Sequence, residues 1–289
     1  MKIKTPIKTK DYFLTKEPFT LIKIKELEVY KTTPKVKKED IGKYYKSIKY
    51  LSHNNNKTPF SLLYLFVKKL NFYFKYKFLK PVLDSNKSLL DFGSGNAYFV
   101  SKLKNKGLQA VAYDPFYNDI SNKTIKDESV LKDEKSLTGF SFKTVTMWHS
   151  LEHVFSYTET LSLISKILMS HGNLIVACPN YESFDANYYK KFWAGYDAPR
   201  HYWHFSPKGL KDVMSQNGFE FIKKKPMYFD AIYVSMLSEQ YKKSKLWFVK
   251  GLTIGLVSNL ISVFKNNASS YVYLFNTVLC LMFSYFPYS

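Results

Sequence analysis

The 289-residue chain predicts an α/β fold, a mostly parallel sheet with helices on both faces. Three observations predict it. From Ser88 onward short apolar runs alternate with longer helical stretches; a Gly-x-Gly turn follows the first run; the second run ends in a carboxylate, Asp114, about 20 residues after the glycines. One large domain with appendages suits this length, which is enough to bury a sizeable core.

The elements follow in order. Residues 1–80 read as a lysine-rich N-terminal arm, closed by a turn-like Ser52-His-Asn-Asn-Asn-Lys-Thr-Pro59 and a covering helix over 60–79. That helix carries lysines at 68, 69, 75 and 77, so it either turns them to solvent or phosphate headgroups or packs along the sheet. The sheet domain is expected over 81–229. Its strands fall near 88–92, 109–113, 143–148, 173–178 and 219–224, with a weakly marked third strand in 127–132, because 121–139 is polar and charged. Ser206 and Pro207 are suited to open the helix before the sixth strand, and Asn217-Gly218 to close it.

The glycine spacing restricts the ligand. Gly93 and Gly95 let a ligand approach bare backbone at a helix N-terminus, and Asp114 is placed to accept both hydroxyls of a ribose. A dinucleotide fold wants a third small residue where this chain has Tyr98, so the spacing favours a smaller ligand without a pyrophosphate, such as S-adenosylmethionine.

Five segments occur in a familiar order: Leu89-Leu-Asp-Phe-Gly-Ser-Gly95, Asp114-Pro-Phe116, Trp148-His-Ser-Leu-Glu-His-Val154, Gly172-Asn-Leu-Ile-Val-Ala-Cys-Pro-Asn180 and Ala198-Pro-Arg-His-Tyr-Trp-His-Phe-Ser206. With them the chain resembles the class I S-adenosylmethionine-dependent methyltransferases. Within these it looks like a bacterial branch with Leu-Glu-His and Pro-Arg-His segments. The likeness runs from about residue 80 to 225 and is visible again over 11–60, in Asp11-Tyr-Phe-Leu-Thr-Lys-Glu-Pro-Phe19 and Tyr44-Tyr-Lys-Ser-Ile-Lys-Tyr50. It implies a Rossmann-like sheet of seven strands whose last, near 269–275, is antiparallel, with a helical insertion over 230–267 before it. Residues 268–289 are then the last strand and an apolar tail. A membrane span or a monotopic patch over 246–264 is the competing reading, and Lys250, Ser258, Asn259, Ser262 and two glycines weaken the span.

The resemblance also assigns roles. Asp91, Gly93, Ser94 and Gly95 would face the methionine part of the cofactor and Asp114 the ribose. His149, at the carboxyl edge of the fourth strand, would touch cofactor or substrate. His201 and His204 are candidates to accept a substrate proton, or else hydrogen-bonded loop histidines. Glu152 and His153 read first as loop fixtures. Asn180, Tyr181 and Trp193 are expected to line an acceptor pocket. Arg200, the only arginine beside 42 lysines, is either a buried ion pair or an anion clamp at the substrate mouth. Lys143 stands where the branch usually has an aspartate.

Composition bounds the partners. The formal charge of +20 raises nucleic acid and anionic membranes, but the lysine, asparagine and aromatic bias is that of an AT-rich coding sequence and argues against nucleic acid. Cys178 and Cys280 can build neither a disulfide framework nor a zinc site, and Lys23-Ile-Lys-Glu-Leu-Glu28 replaces the Cys-x-x-Cys pairs common in this branch. No metal is therefore expected. The N-terminus shows no secretory pattern, which suits the cytoplasm or the inner membrane face. The expected activity is methylation of an oxygen, nitrogen or carbon on a small molecule or glycan intermediate. A methyltransferase-like scaffold without catalysis and a nucleic-acid methyltransferase are the alternatives, and oligomeric state is not legible.

Overall fold

The computed structural model describes residues 6–45, 59–83, 88–117 and 130–277, and within 59–68 the backbone only. The leader residues 46–50, the turn at 52–58, the side chain of Lys68 and the tail 278–289 with Cys280 lie outside the described residues.

Two sheets form. The arm folds into three antiparallel strands, β1 (Ile7–Lys10), β2 (Pro18–Lys23) and β3 (Val29–Thr33), and helix α1 (Pro59–Leu79) follows. The large sheet begins with β4 (Leu89–Phe92), then α2 (Tyr98–Lys104), β5 (Ala110–Tyr113), β6 (Val130–Leu131), β7 (Phe142–Trp148), α3 (Tyr157–Ile167) and β8 (Leu168–Pro179). After α4 (Phe184–Tyr189) a short strand, β9 (Trp203–Phe205), leaves the large sheet and pairs antiparallel with β3, with Val29 opposite Phe205. Helix α5 (Pro207–Gln216), β10 (Phe219–Pro226), the helical pair α6 (Tyr228–Tyr241) and α7 (Trp247–Lys265), and β11 (Ser270–Thr277) complete the chain.

The large sheet has the order β10-β11-β8-β7-β4-β5-β6, parallel from β8 to β6, with β11 antiparallel to both its neighbours. This is the expected seven-strand sheet with an antiparallel last strand and a helical insertion before it. Successive residues of each strand face opposite ways, so the sheet buries two cores. Leu90, Val145, Leu174, Val176 and Phe275 pack on one face with α3 and α5; Leu89, Ala112, Ile175 and Ala177 pack on the other with α1 and α2. Each fully buried aliphatic side chain contributes about 1.5–3 kcal/mol.

The N-terminal arm is itself folded: β1–β3 with β9 make a second sheet, which sequence spacing did not reveal because its fourth strand lies near residue 204. Of the two readings of α1, packing along the sheet is the one the structure has. Phe72, Phe78 and Leu79 pack on the sheet, and Lys75 rides on the same side, its ammonium 4.8 Å from the Trp148 ring centre.

α6 and α7 form a close hairpin. A Cβ on Gly251 would stand 2.4 Å from Met236 Cα, and one on Gly255 2.5 Å from Ile232 Cα, so only glycine allows this approach. The opposite side of α7 leaves Leu256, Leu260, Val263 and Phe264 exposed. Among the described residues, α7 is the one helix long and apolar enough to cross a membrane.

Candidate functional site

The order of parallel strands reverses at β4, with β5 on one side and β7 on the other, and such a switch point opens a crevice at the carboxyl edge. Residues after β4, β5 and β7 meet there. Gly93 (φ +78°) and Gly95 (φ +56°) turn the chain into α2. Gly93 is required twice over, since a Cβ there would also lie 2.4 Å from Ser150 Cβ. Ser150 Oγ donates to Phe92 O at 2.7 Å and ties the β7 loop to the glycine loop.

Asp114 organises this loop. Its Oδ2 accepts from Gly95 N and its Oδ1 from Phe116 N, both at 2.8 Å, while Gly93 N and Ser94 N donate to Tyr113 O. Each carboxylate oxygen keeps a second lone pair for a ligand hydroxyl. Asp91, buried in β4, accepts from Thr146 Oγ1 at 2.7 Å. Burial raises its pKa to about 6, against the opposing pull of the Thr146 hydrogen bond and the Lys75 ammonium.

His149 ends β7 in the left-handed region (φ +53°), its N–H bonded to Ala177 O. Its Nε2 lies 2.9 Å from Asp230 Oδ2 and its Nδ1 3.4 Å from Glu152 Oε1. Burial disfavours the imidazolium, but the two carboxylates outweigh it and raise the pKa to about 10. The two carboxylates thus favour the charged form of this ring, which stands at the carboxyl edge of β7 as expected. A pocket of about 90 Å³ opens beside it, lined among others by Phe74, Lys75, Trp148, Met227 and Asp230.

The Pro-Arg-His segment is framework rather than an open mouth. Arg200 is 2% exposed: its Nε and Nη2 grip the two oxygens of Asp197 at 2.9 and 2.6 Å, Nη2 reaches Asp11 Oδ1 at 3.2 Å, and Nη1 donates to Tyr44 O. Burial would raise the Asp197 pKa, yet the guanidinium holds it at about 2. With every face engaged, Arg200 is the buried ion pair and not the substrate clamp.

The expected acceptor pocket is corrected in the same way. Asn180 Nδ2 donates to Asn267 Oδ1 and Ala268 O, and its Oδ1 accepts from Glu182 N. Tyr181 Oη donates to Glu28 O, and Trp193 Nε1 to Asp185 Oδ2. All three side chains are buried, and the crevice that Tyr181 and Trp193 share with His201 and His204 has no room for a water molecule. His204 is buried too, its Nε2 2.9 Å from Thr32 Oγ1, and burial first, with His201 beside it, lowers its pKa. His201 donates through Nδ1 to Gly195 O at 3.0 Å.

Two site residues escaped the sequence reading. Lys75 had a signal, since it falls one turn from both Phe72 and Phe78 on the apolar stripe of α1. Asp230 had none, because only the docking of α6 brings it to His149.

A family model described as a methyltransferase domain matches residues 65–224. A search of curated proteins finds no match. Among solved structures, geranyl diphosphate C-methyltransferase from Streptomyces coelicolor A3(2), in complex with Mg2+, geranyl diphosphate and S-adenosyl-L-homocysteine, is 14% identical with a TM-score of 0.51, over 83% of this chain and 98% of that one. A SAM dependent methyltransferase from Archaeoglobus fulgidus is 18% identical with a TM-score of 0.47, over 72% of this chain and 94% of that one. At these identities the likeness is one of fold.

Proposed function

Because the chain belongs to the methyltransferase domain family, we propose that it transfers a methyl group from S-adenosylmethionine to an oxygen, nitrogen or carbon of a small molecule or glycan intermediate. The observation that carries this reading is the glycine loop after β4, clasped by Asp114 at the switch point of the sheet. Asp114 takes the ribose hydroxyls, the Gly93–Gly95 backbone admits the cofactor without side-chain obstruction, and Asp91 sits where a ligand ammonium would find a carboxylate. Methyl transfer is an in-line displacement that gains much of its rate from positioning, and His149, held between Asp230 and Glu152, positions rather than deprotonates.

Isothermal titration with S-adenosylhomocysteine tests the reading, and its pH dependence adds a sign. Asp91 ionises only near pH 6, and an ammonium ligand favours the carboxylate. Affinity is expected to fall about tenfold for each pH unit below 6, whereas the ligand-free chain loses stability as pH rises through the same range, because a raised carboxyl pKa stabilises the fold only while protonated. No binding at pH 7.5 would overturn the proposal; a flat pH profile would remove Asp91 from it.

The exposed side of α7 favours work at an anionic membrane face. Leu256, Leu260, Val263 and Phe264 lie open on it, while Lys242, Lys243 and Lys245 in the turn before α7, with Lys250 and Lys265 on it, are suited to acidic headgroups. The chain is expected to sediment with vesicles of phosphatidylglycerol and phosphatidylcholine. Replacing Leu256, Leu260 and Val263 by serine should weaken this at least about tenfold, since each buried aliphatic side chain contributes about 1.5–3 kcal/mol. Undiminished sedimentation of that variant would reject the α7 contact.

A further inference from the structure

We infer that Glu152, His153 and His201 form a binding site for a divalent transition-metal ion beside the cofactor loop. One ligating atom of each residue lies within 4.8 Å of the others. An ion bound at 2.0–2.2 Å sets neighbouring ligand atoms about 3.0–3.4 Å apart, so side-chain adjustment of about 1–2 Å closes the set. Two imidazoles and a carboxylate suit ions such as Zn2+, Mn2+ or Co2+ and leave positions open.

Two features besides proximity point to a cation. The first is Glu152. It is 1% exposed, and neither carboxylate oxygen accepts a hydrogen bond; the one approach is His149 Nδ1 at 3.4 Å. His149 approaches one oxygen only, so the second oxygen of this buried carboxylate has no donor, and an ion would satisfy it. The second is the orientation of the rings. His201 Nδ1 lies 3.0 Å from Gly195 O, and a carbonyl can only accept, so this Nδ1 carries the proton; His153 Nδ1 lies 3.1 Å from Arg200 O and 3.0 Å from the Tyr45 hydroxyl, and in the tautomer that donates to the carbonyl it carries the proton too. Nε2 of each ring is then the atom left to ligate. A ligating histidine that gives its other N–H to a backbone carbonyl is the usual support of a metal site. The rings stand 4.4 Å apart at 86°, so they present edges rather than stack face to face.

The site adjoins the cofactor loop through the arm. Tyr45 Oη is 3.0 Å from His153 Nδ1, and its ring stacks on Phe116, whose N–H is bound by Asp114. His153 is half-buried and gives the approach from solvent.

The test titrates Co2+ into the untagged, metal-free full chain and follows its visible absorption, beside a separate titration with S-adenosylhomocysteine. One equivalent of Co2+ should bind with micromolar affinity. Glu152→Gln and His153→Gln should each weaken it at least about tenfold. His153→Gln keeps the test decisive if the buried Glu152→Gln variant fails to fold by circular dichroism. Absence of saturable Co2+ binding, or binding undiminished in His153→Gln, overturns the site. Co2+ binding without S-adenosylhomocysteine binding overturns the methyl-transfer reading and leaves the site standing; the reverse result overturns the site alone.

Discussion

Asp114→Ala is expected to weaken S-adenosylhomocysteine binding by about 100-fold or more while the chain stays folded. The carboxylate has two tasks. It accepts the Gly95 and Phe116 N–H groups, which shape the glycine loop, and in the proposed complex it accepts two ribose hydroxyls. Hydrogen bonds to a charged group each contribute about 1.5–3 kcal/mol, so losing two from the complex corresponds to roughly 10²–10⁴ in affinity. Folding suffers less, because the freed N–H groups sit at the edge of a crevice where water can reach them. Asp114→Asn keeps the shape and loses the charge, so an intermediate loss is expected. Titration of both variants checks this. Affinity of Asp114→Ala within threefold of the parent chain would mean the ribose lies elsewhere.

Arg200→Ala is expected to cost about 3–5 kcal/mol of stability, because removing one partner leaves the buried Asp11 and the half-buried Asp197 without their cation. The melting temperature should fall by about 5–15 °C. Arg200→Lys should recover only part of this, since an ammonium cannot grip both oxygens of Asp197 and reach Tyr44 O as well. The acid limb of the stability profile carries a second signature. The Asp197 pKa is about 2 in the folded chain, below its ordinary value, so this pair contributes fully above about pH 4 and is lost as pH falls toward 2. Thermal melts of the parent and both variants between pH 2 and 7 separate the outcomes. Equal melting temperatures across the three proteins would show that the ion pair contributes nothing net.

The strands, the glycine turn and Asp114 were legible because each is written locally: short apolar runs, glycines that must take positive φ, and an acid at the end of the next strand. Ser206 likewise caps α5 as expected, accepting from Gly209 N. What stayed hidden depends on pairing across the chain. The residue types in the Pro-Arg-His segment and after β8 invited a substrate role for Arg200, His204, Tyr181 and Trp193, but their partners, Asp11, Thr32, Glu28 and Asp185, could not be guessed from spacing. The same holds for Glu152. Beside His153 it looked like a loop fixture, and only the fold brings His201 up to the pair and leaves the carboxylate with no partner but the His149 ring.

The pairing of β3 with β9, and of Asp11 with Arg200 across 189 positions, also dictates an order of events during synthesis. As the ribosome delivers the chain from its N-terminus, β1–β3 emerge early and wait with one edge unfilled until residues 197–205 leave the exit tunnel. The parallel strands from β4 to β8, already released, can assemble first. The β1–β3 segment is thus made before the strand that completes it, and in the interval its open edge is exposed to chaperones, proteases or a neighbouring copy.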